Sequence, residues 1–374
     1  MNPLRIHIFA HSFVSDWSHS SAHFLRGLAR ELMRMGHSVR CHEELGSWSL
    51  VNLVRHEQER SIDAIDDFRR RFRELDIQFY DRGSGLREHL RSQLRGADVV
   101  VIQEWNEPDA VNTILDLKTE LGFRAFFLDT HHRAYTRAGE MLRFHLHLFD
   151  GVLAGGEPLR RIYADGFGLR RVWTFHEGAD TEQFAPLDAT PKTDVLWIGN
   201  WGGAERTAEL NEFLLEPART LPDLKVWAFG VRYPAEAIAW MQEAGVDHRG
   251  YLPDLDAPQA YGASQLAVHL PRKPYTNGLA GMPSLRIFTA LACGAPLLCA
   301  PWEDHQGLFR PGQDFLIARD GAEMTALITE LLRDDRARRQ LAEHGLHTVR
   351  SRHTCRHRAE EFTAICEDAR ASAA

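Results

Sequence analysis

The sequence predicts an α/β protein made of two doubly wound parallel-sheet domains, and three observations carry that expectation. Short apolar bursts recur along the 374 residues. They are apolar on both sides instead of alternating, as strands buried in a parallel sheet are. Amphipathic stretches separate them, as βαβ crossovers require. Pro186, Pro191 and a run of polar residues collect over 178–193, which marks a boundary between a domain over 1–177 and a second over 178–354. At 44% hydrophobic residues the chain is long enough for two cores.

The first strand is 4–9. Residues 19–35 are helical, because Phe24, Leu28, Leu32 and Met35 recur at helical spacing and Gly36 stops them. Residues 38–41 form the next strand, and 51–75 form one charged helical segment that is mostly a solvated face. Strands follow at 98–102, 124–128, 151–154 and 171–175. The second domain repeats the scheme with strands at 194–198, 225–229, 266–270, 296–299 and 315–317. Its helices are placed at 205–215, 235–244, 284–292, 322–333 and 336–344. No low-complexity tract or short repeat interrupts the pattern.

Composition narrows the function. The net charge of −8 weighs against a protein that coats nucleic acid, which is usually basic. The five cysteines, at 41, 293, 299, 355 and 366, show neither a CxxC pair nor a zinc spacing. Such a pattern suits a reducing cytoplasm, where the protein is expected. The opening MNPLRIHIFAHSF has too short an apolar run for a signal peptide, and no stretch is long enough to span a bilayer.

Three places in the second domain can hold phosphate. The stretch GNWGG over 199–203 follows a strand and precedes a helix. Gly199, Gly202 and Gly203 let backbone approach a ligand closely, unless they form a plain turn. Arg206 follows within reach, and Trp201 either stacks on a base or packs inside. Arg272 and Lys273 follow the strand at 266–270, at the strand end where open α/β sheets bind ligands; the alternative is a solvated basic loop. Pro283, Ser284 and Leu285 read as a capped helix N-terminus, whose N–H groups attract anions.

The first domain offers histidines and carboxylates at strand ends. Asp129, His131 and His132 follow the strand at 124–128, and histidine changes protonation near neutral pH. Ser18 and His19 lie in the loop after the first strand, and Glu104 lies in QEWN over 103–106. These are candidate contacts for a sugar or an acceptor, or else capping and solvated groups.

The stretch MPSLRIFTALACGAPLLCAPWEDHQGLFRPGQDFL over 282–316 resembles the nucleotide-binding half of GT-B glycosyltransferases, "PSxRxFEALACGxPLV…LFxxGxDxL". HEGADTEQFAP over 176–186 is similar to the "xxGxDxxxFxP" segment that joins the domains in glycosyltransferase family 4. RHTCRHR over 352–358 resembles the ending of its spore-maturation (CgeB-like) branch. The resemblance implies two Rossmann-like domains facing across a cleft, with the last helix, 355–370, packing back on the first. It implies a nucleotide diphosphate sugar as donor in the second domain, an acceptor in the first, retention at the anomeric carbon, and neither metal nor cofactor. His131 or His132 would then orient the sugar, while Arg206, Arg272 and Lys273 neutralise the departing phosphate. Family 4 usually carries a glutamate, seven residues and a second glutamate that holds the ribose. Those positions fall on Gly281 and Thr289, so Thr289 is expected beneath the ribose, with Glu303 and Asp304 as substitutes.

Two rival readings stay open. One is a GT-B-like epimerase or hydrolase using Glu104, Asp129 or Glu177. The other is a nucleotide-sugar-binding protein without turnover, which the loss of both glutamates favours.

Overall fold

The structure, a computed structural model, describes residues 3–371. The chain divides into two compact units: residues up to 177 together with those from 355 on, and residues 178–354.

The first unit holds seven strands, β1 Arg5–Ala10, β2 Ser38–Glu44, β3 Asp76–Tyr80, β4 Val99–Gln103, β5 Arg124–Asp129, β6 Gly151–Ala154 and β7 Val172–Thr174. They pair in parallel in the order β3-β2-β1-β4-β5-β6-β7. Ile8 sits opposite Cys41 on one side and Val101 on the other, so the central strand is enclosed, and its apolar residues are fully buried. Helix Ala22–Arg34 packs on the helix Cys355–Ala371 that closes the chain. Phe362 of the latter lies 6.0 Å from Phe126 and 6.3 Å from Phe175.

The second unit holds β8 Thr193–Ile198, β9 Val226–Phe229, β10 Val246–His248, β11 Ser264–His269, β12 Leu297–Cys299 and β13 Leu316–Ile317. Its order is β10-β9-β8-β11-β12-β13, again parallel. In both sheets the winding reverses beside the first strand, between β1 and β4 and between β8 and β11. Ligands of open α/β sheets sit at the carboxyl ends of strands at such switch points.

The structure corrects several predicted elements. The segment 51–75 is not one helix but two, Trp48–Glu57 and Glu59–Arg71, broken at Gln58 with φ 48°. A left-handed residue cannot continue a right-handed helix. The edge strands β3 and β10 were not predicted, because DIQFY is half exposed and VDH has a single apolar residue. The helix expected over 205–215 starts at Thr207, after a 3₁₀ turn at Gly203–Glu205, and continues through a π segment at Asn211–Leu215 into Glu216–Thr220.

One close approach shapes the second switch point. Gly230 has φ 157°, and a Cβ there would meet the Gly199 carbonyl oxygen at 2.1 Å. The ends of β8 and β9 therefore touch through backbone alone. Among the described residues no helix is long and apolar enough to cross a membrane.

Candidate active site

At the carboxyl end of β8 the chain turns through Asn200 and Gly202, whose φ of 81° a side chain would resist. The turn brings Arg206 back over the strand. Its guanidinium lies 5.1 Å from the Trp197 ring centre and donates to the Asn200 carbonyl at 3.0 Å. A Cβ at Gly199 would fall 2.6 Å from the Trp197 ring and 3.2 Å from that guanidinium, so glycine is what allows this stacking. Arg206 is 8% exposed, and its Nε has no hydrogen-bond partner among the described residues. No carboxylate among the described residues lies within ion-pair distance of it. Burial, then the charge of Arg272, lowers its pKa to about 9.

From β11 come His269 and Arg272. Arg272 donates to Glu205 at 3.2 Å, and the exposed Lys273 lies 3.9 Å from Glu209. His269 is buried, its Nε2 lacks a partner, and burial followed by Arg206 and Arg286 lowers its pKa to about 3. It is therefore neutral. Helix Leu285–Ala292 is capped by Ser284, whose Oγ accepts from the Arg286 N–H at 3.4 Å. Pro283 and Leu285 are buried beside the cap, and Arg286 reaches Asp254 at 3.8 Å. Arg206 and Arg286 are thus the cations that act on this neutral imidazole, and Arg286 belongs to the capped helix. A buried cation without a carboxylate, with a second cation close by, favours an anion.

Two residues assigned to the nucleoside do not fit that role. Trp201 is 2% exposed; its ring lies 5.7 Å from Tyr233 and 5.9 Å from Trp240, and its Nε1 donates to Thr207. It packs the core. Thr289 is 0% exposed, its hydroxyl donates to the Arg286 carbonyl at 3.2 Å, and it bonds the buried Tyr261. Its hydroxyl is engaged within the fold and is not presented at the helix surface. The expected substitutes Glu303 and Asp304 each have a local partner, while Asp304 Oδ1 has none among the described residues. Glu303 bonds His305 at 2.5 Å, and Asp304 accepts from the Phe309 N–H at 2.6 Å. Gly281 has φ 85° and abuts His305, and its carbonyl accepts from Gln306.

In the first unit the ends of β1, β4 and β5 meet. Asp129 accepts from Tyr163 at 2.5 Å and from the His131 N–H at 2.9 Å. Glu104 accepts from the Thr130 N–H, and Arg133 reaches the Glu104 carbonyl while covering the Trp105 ring at 4.2 Å. His131 lies 4.9 Å from Trp105 and 3.9 Å from His132, and His132 Nδ1 lies 3.0 Å from Thr136 Oγ1. His19 sits edge-on to His11 at 5.2 Å. Ser18, with φ 53°, lies in the same loop. That loop is clamped from below. Glu43 accepts from Ser12, Phe13, Val14 and Ser47, and Arg26 donates to the Phe13 and Val14 carbonyls. Rigidity thus comes from buried side chains in a loop that has no glycine.

The residues brought together therefore include several that sequence reasoning missed: Arg286, His269 and Asp254 in the second unit, and His11, Trp105, Arg133 and Tyr163 in the first. His11 and His269 stand at or just past strand ends and were reachable by the switch-point rule. Tyr163 lies 34 residues from Asp129, and nothing local connects them.

Glu104 and Asp129 are fully buried at neighbouring strand ends. Burial, and for Glu104 the charge of Asp129, raises both pKa values, with Asp129 pushed to about 6 and Glu104 further. Tyr163 and the His131 N–H both donate to Asp129 and favour its ionised form, and the two carboxyl groups titrate as a pair. A raised carboxyl pKa costs nothing at pH 3 and destabilises progressively as pH rises through 4–6 and beyond. Glu104→Gln is therefore expected to gain stability relative to wild type as pH rises from 4 to 8. Urea melts at steps across that range test this, and a constant difference between the two proteins would show that the carboxylates are not linked. Half-buried His11, lowered to about 4 chiefly by desolvation, acts oppositely in both proteins, losing stability as pH falls below 6.5.

Residues 206–364 match the family model described as "Glycosyl transferase-like". Among curated proteins no sequence matches the chain. Solved structures with the same architecture include a glycosyltransferase from Rickettsia africae (TM-score 0.69, 11% identity, covering 99% of each chain). Anabaena HepE in complex with UDP and glucose aligns with TM-score 0.69 and 13% identity over 98% of this chain and all of that one. Sucrose-phosphate synthase from Thermosynechococcus elongatus aligns with TM-score 0.66 and 13% identity over 99% and 100%. Together with the two parallel sheets, these likenesses identify the fold as GT-B.

Proposed function

We infer that the chain is a glycosyltransferase. It takes a sugar from a nucleotide diphosphate held by the second unit and passes it to an acceptor hydroxyl held by the first. The observation that carries this reading is Arg206, a buried cation without a carboxylate beside Arg272, at the switch point of a GT-B sheet. A diphosphate between Arg206, Arg272 and the Ser284 cap supplies the missing counter-charge. Lys273 adds charge from the exposed rim. The family-model match over 206–364 supports the same reading, and UDP is the first nucleotide to test because HepE holds it.

In the reaction the bond from the anomeric carbon to the diphosphate breaks, and the acceptor oxygen bonds to that carbon. The acceptor proton passes to the leaving phosphate, as retention without a protein base requires. Arg206 and Arg272 stabilise the charge that develops. His131 and His132 orient the sugar, with Asp129 fixing the turn that carries them, and Ser18, His19 and Glu104 lie around the acceptor. The second reading, binding without turnover, is favoured by the buried Thr289 and the wedged Gly281 at the positions of the family glutamates. Calorimetric titration with UDP, GDP and their sugars tests binding, and release of free nucleotide in the presence of acceptors tests turnover. Binding with no release under any acceptor would select the second reading; no nucleotide binding would sink both. The protein acts in the reducing cytoplasm on this reading, its five cysteines unbridged.

Because arginines carry the charge, no divalent metal is needed. Activity in excess chelator is expected to stay within about twofold of that in magnesium, since no metal takes part in leaving-group stabilisation. Loss on chelation with recovery in magnesium or manganese would contradict this.

A further inference from the structure

We propose that the acceptor carries an apolar body joined to its reacting hydroxyl, and that this body lies on a strip headed by Trp48. The inference rests on the transferase reading above and names its acceptor class. Leu45, Trp48, Val51 and Val54 are 61%, 47%, 49% and 51% exposed, four large apolar side chains along the end of β2 and the helix Trp48–Glu57. Grouped exposure of this kind marks a binding surface, whereas single exposed residues do not.

The strip continues the site of the first unit. β2 is the sheet neighbour of β1, and Trp48 follows its carboxyl end. The Ser49 N–H donates to His11 Nε2 at 3.2 Å, and the Ser49 hydroxyl donates to the Trp17 carbonyl at 2.8 Å and lies 2.9 Å from Ser15 Oγ. The start of the helix is thus tied to the loop of His11 and His19. The Trp48 ring centre lies 6.4 Å from His11 and 5.4 Å from the buried Trp17, which stacks on His56. Trp48 is held in place from behind and presents a fixed apolar face next to the polar pole. A ligand spanning both has hydroxyls at the histidines and an apolar part on the strip.

Other occupants fit less well. Arg69 and Arg70 pair with Asp66 and Asp67. Glu57, Glu59 and Asp63 offset Arg55 and Arg60, so no basic excess holds the strip on an anionic bilayer. Four side chains are far fewer than the roughly 20–30 residues a side of a stable protein interface.

The test uses the full chain and n-butyl, n-hexyl and n-octyl β-glucosides, each below its micelle-forming concentration, titrated by calorimetry. Affinity is expected to rise roughly two- to fourfold per added methylene. Trp48→Ala and Val51→Asp should weaken the octyl glucoside at least about tenfold and flatten the length dependence. Leu187→Ala, in the other unit, should change nothing, and UDP affinity should stay within about twofold throughout, because the strip is remote in function from the phosphate cations. Melting curves confirm that each variant is folded. Absent or length-independent glucoside binding, with UDP binding intact, overturns the strip but leaves the transferase reading standing. Sedimentation with phosphatidylcholine–phosphatidylglycerol vesicles that Trp48→Ala abolishes, or dimerisation that it abolishes, overturns it in favour of a membrane or a second copy. Absence of all nucleotide binding overturns the transferase reading and the acceptor assignment with it.

Discussion

Arg206→Met is expected to weaken UDP binding by roughly 10- to 100-fold, the loss of one charge-assisted contact of about 1.5–3 kcal/mol, without lowering the melting temperature. The two effects separate because the arginine is badly placed for stability. It is buried, lies beside Arg272, and has one hydrogen bond, to the Asn200 carbonyl, with its Nε unsatisfied. Replacing a buried charge of this kind by an apolar chain of similar volume is commonly neutral or stabilising. Methionine also keeps the contact with Trp197. A residue retained for binding at the expense of stability gives this split, whereas a structural arginine gives the reverse: unaltered affinity and a lower melting temperature. The Arg272→Ala/Lys273→Ala double variant is expected to lose less, because both cations have carboxylate neighbours, Glu205 and Glu209, and Lys273 is exposed. Calorimetry and differential scanning on the same samples decide the matter. If the double variant loses more affinity than Arg206→Met, the diphosphate sits outward of the buried guanidinium.

The doubly wound pattern was legible because each central strand is enclosed on both faces and so reads as an unbroken apolar run, as VVVIQ of β4 does. The edge strands β3 and β10 lack that enclosure, β3 being half exposed and β10 carrying a single apolar residue, so they were missed, whereas the opposite edges β7 and β13 were read from 171–175 and 315–317. The residues proposed to hold the diphosphate were partly legible: strand ends are visible in a sequence, and Arg206, Arg272 and the Ser284 cap all follow from them. What lies across from a helix position is not visible. The period of helix Leu285–Ala292 gives Thr289 no side of its own, and only the fold brings Tyr261 of another helix against it. Trp201 presents the same difficulty. A turn residue reads as exposed, yet Trp240 and Tyr233 close over it from a distant helix and loop. The break at Gln58 has no sequence signal, since glutamine is an ordinary helix residue.

Thr289→Glu is expected to unfold the protein or to lower its stability by roughly 3–5 kcal/mol, the cost of an uncompensated buried charge. In family 4 that position carries a carboxylate, and by resemblance the substitution would be expected to restore a ribose contact. The geometry argues otherwise. Thr289 is fully buried, its hydroxyl serves the Arg286 carbonyl and Tyr261, and its helix neighbours Phe288 and Ala290 are buried as well. A glutamate there brings two more heavy atoms than the space holds, adding overpacking to the charge. It would take up a proton to escape the charge, so its pKa would rise. The loss should then be smaller at pH 5 than at pH 8, because a raised carboxyl pKa penalises the ionised form only. Thr289→Val, which keeps the volume and gives up the hydroxyl, should cost only about 1 kcal/mol. Melting curves at the two pH values, with a UDP titration at each, separate burial from ribose contact. A folded Thr289→Glu protein that binds UDP more tightly than wild type would put the ribose back over this helix and overturn the inward orientation of Thr289.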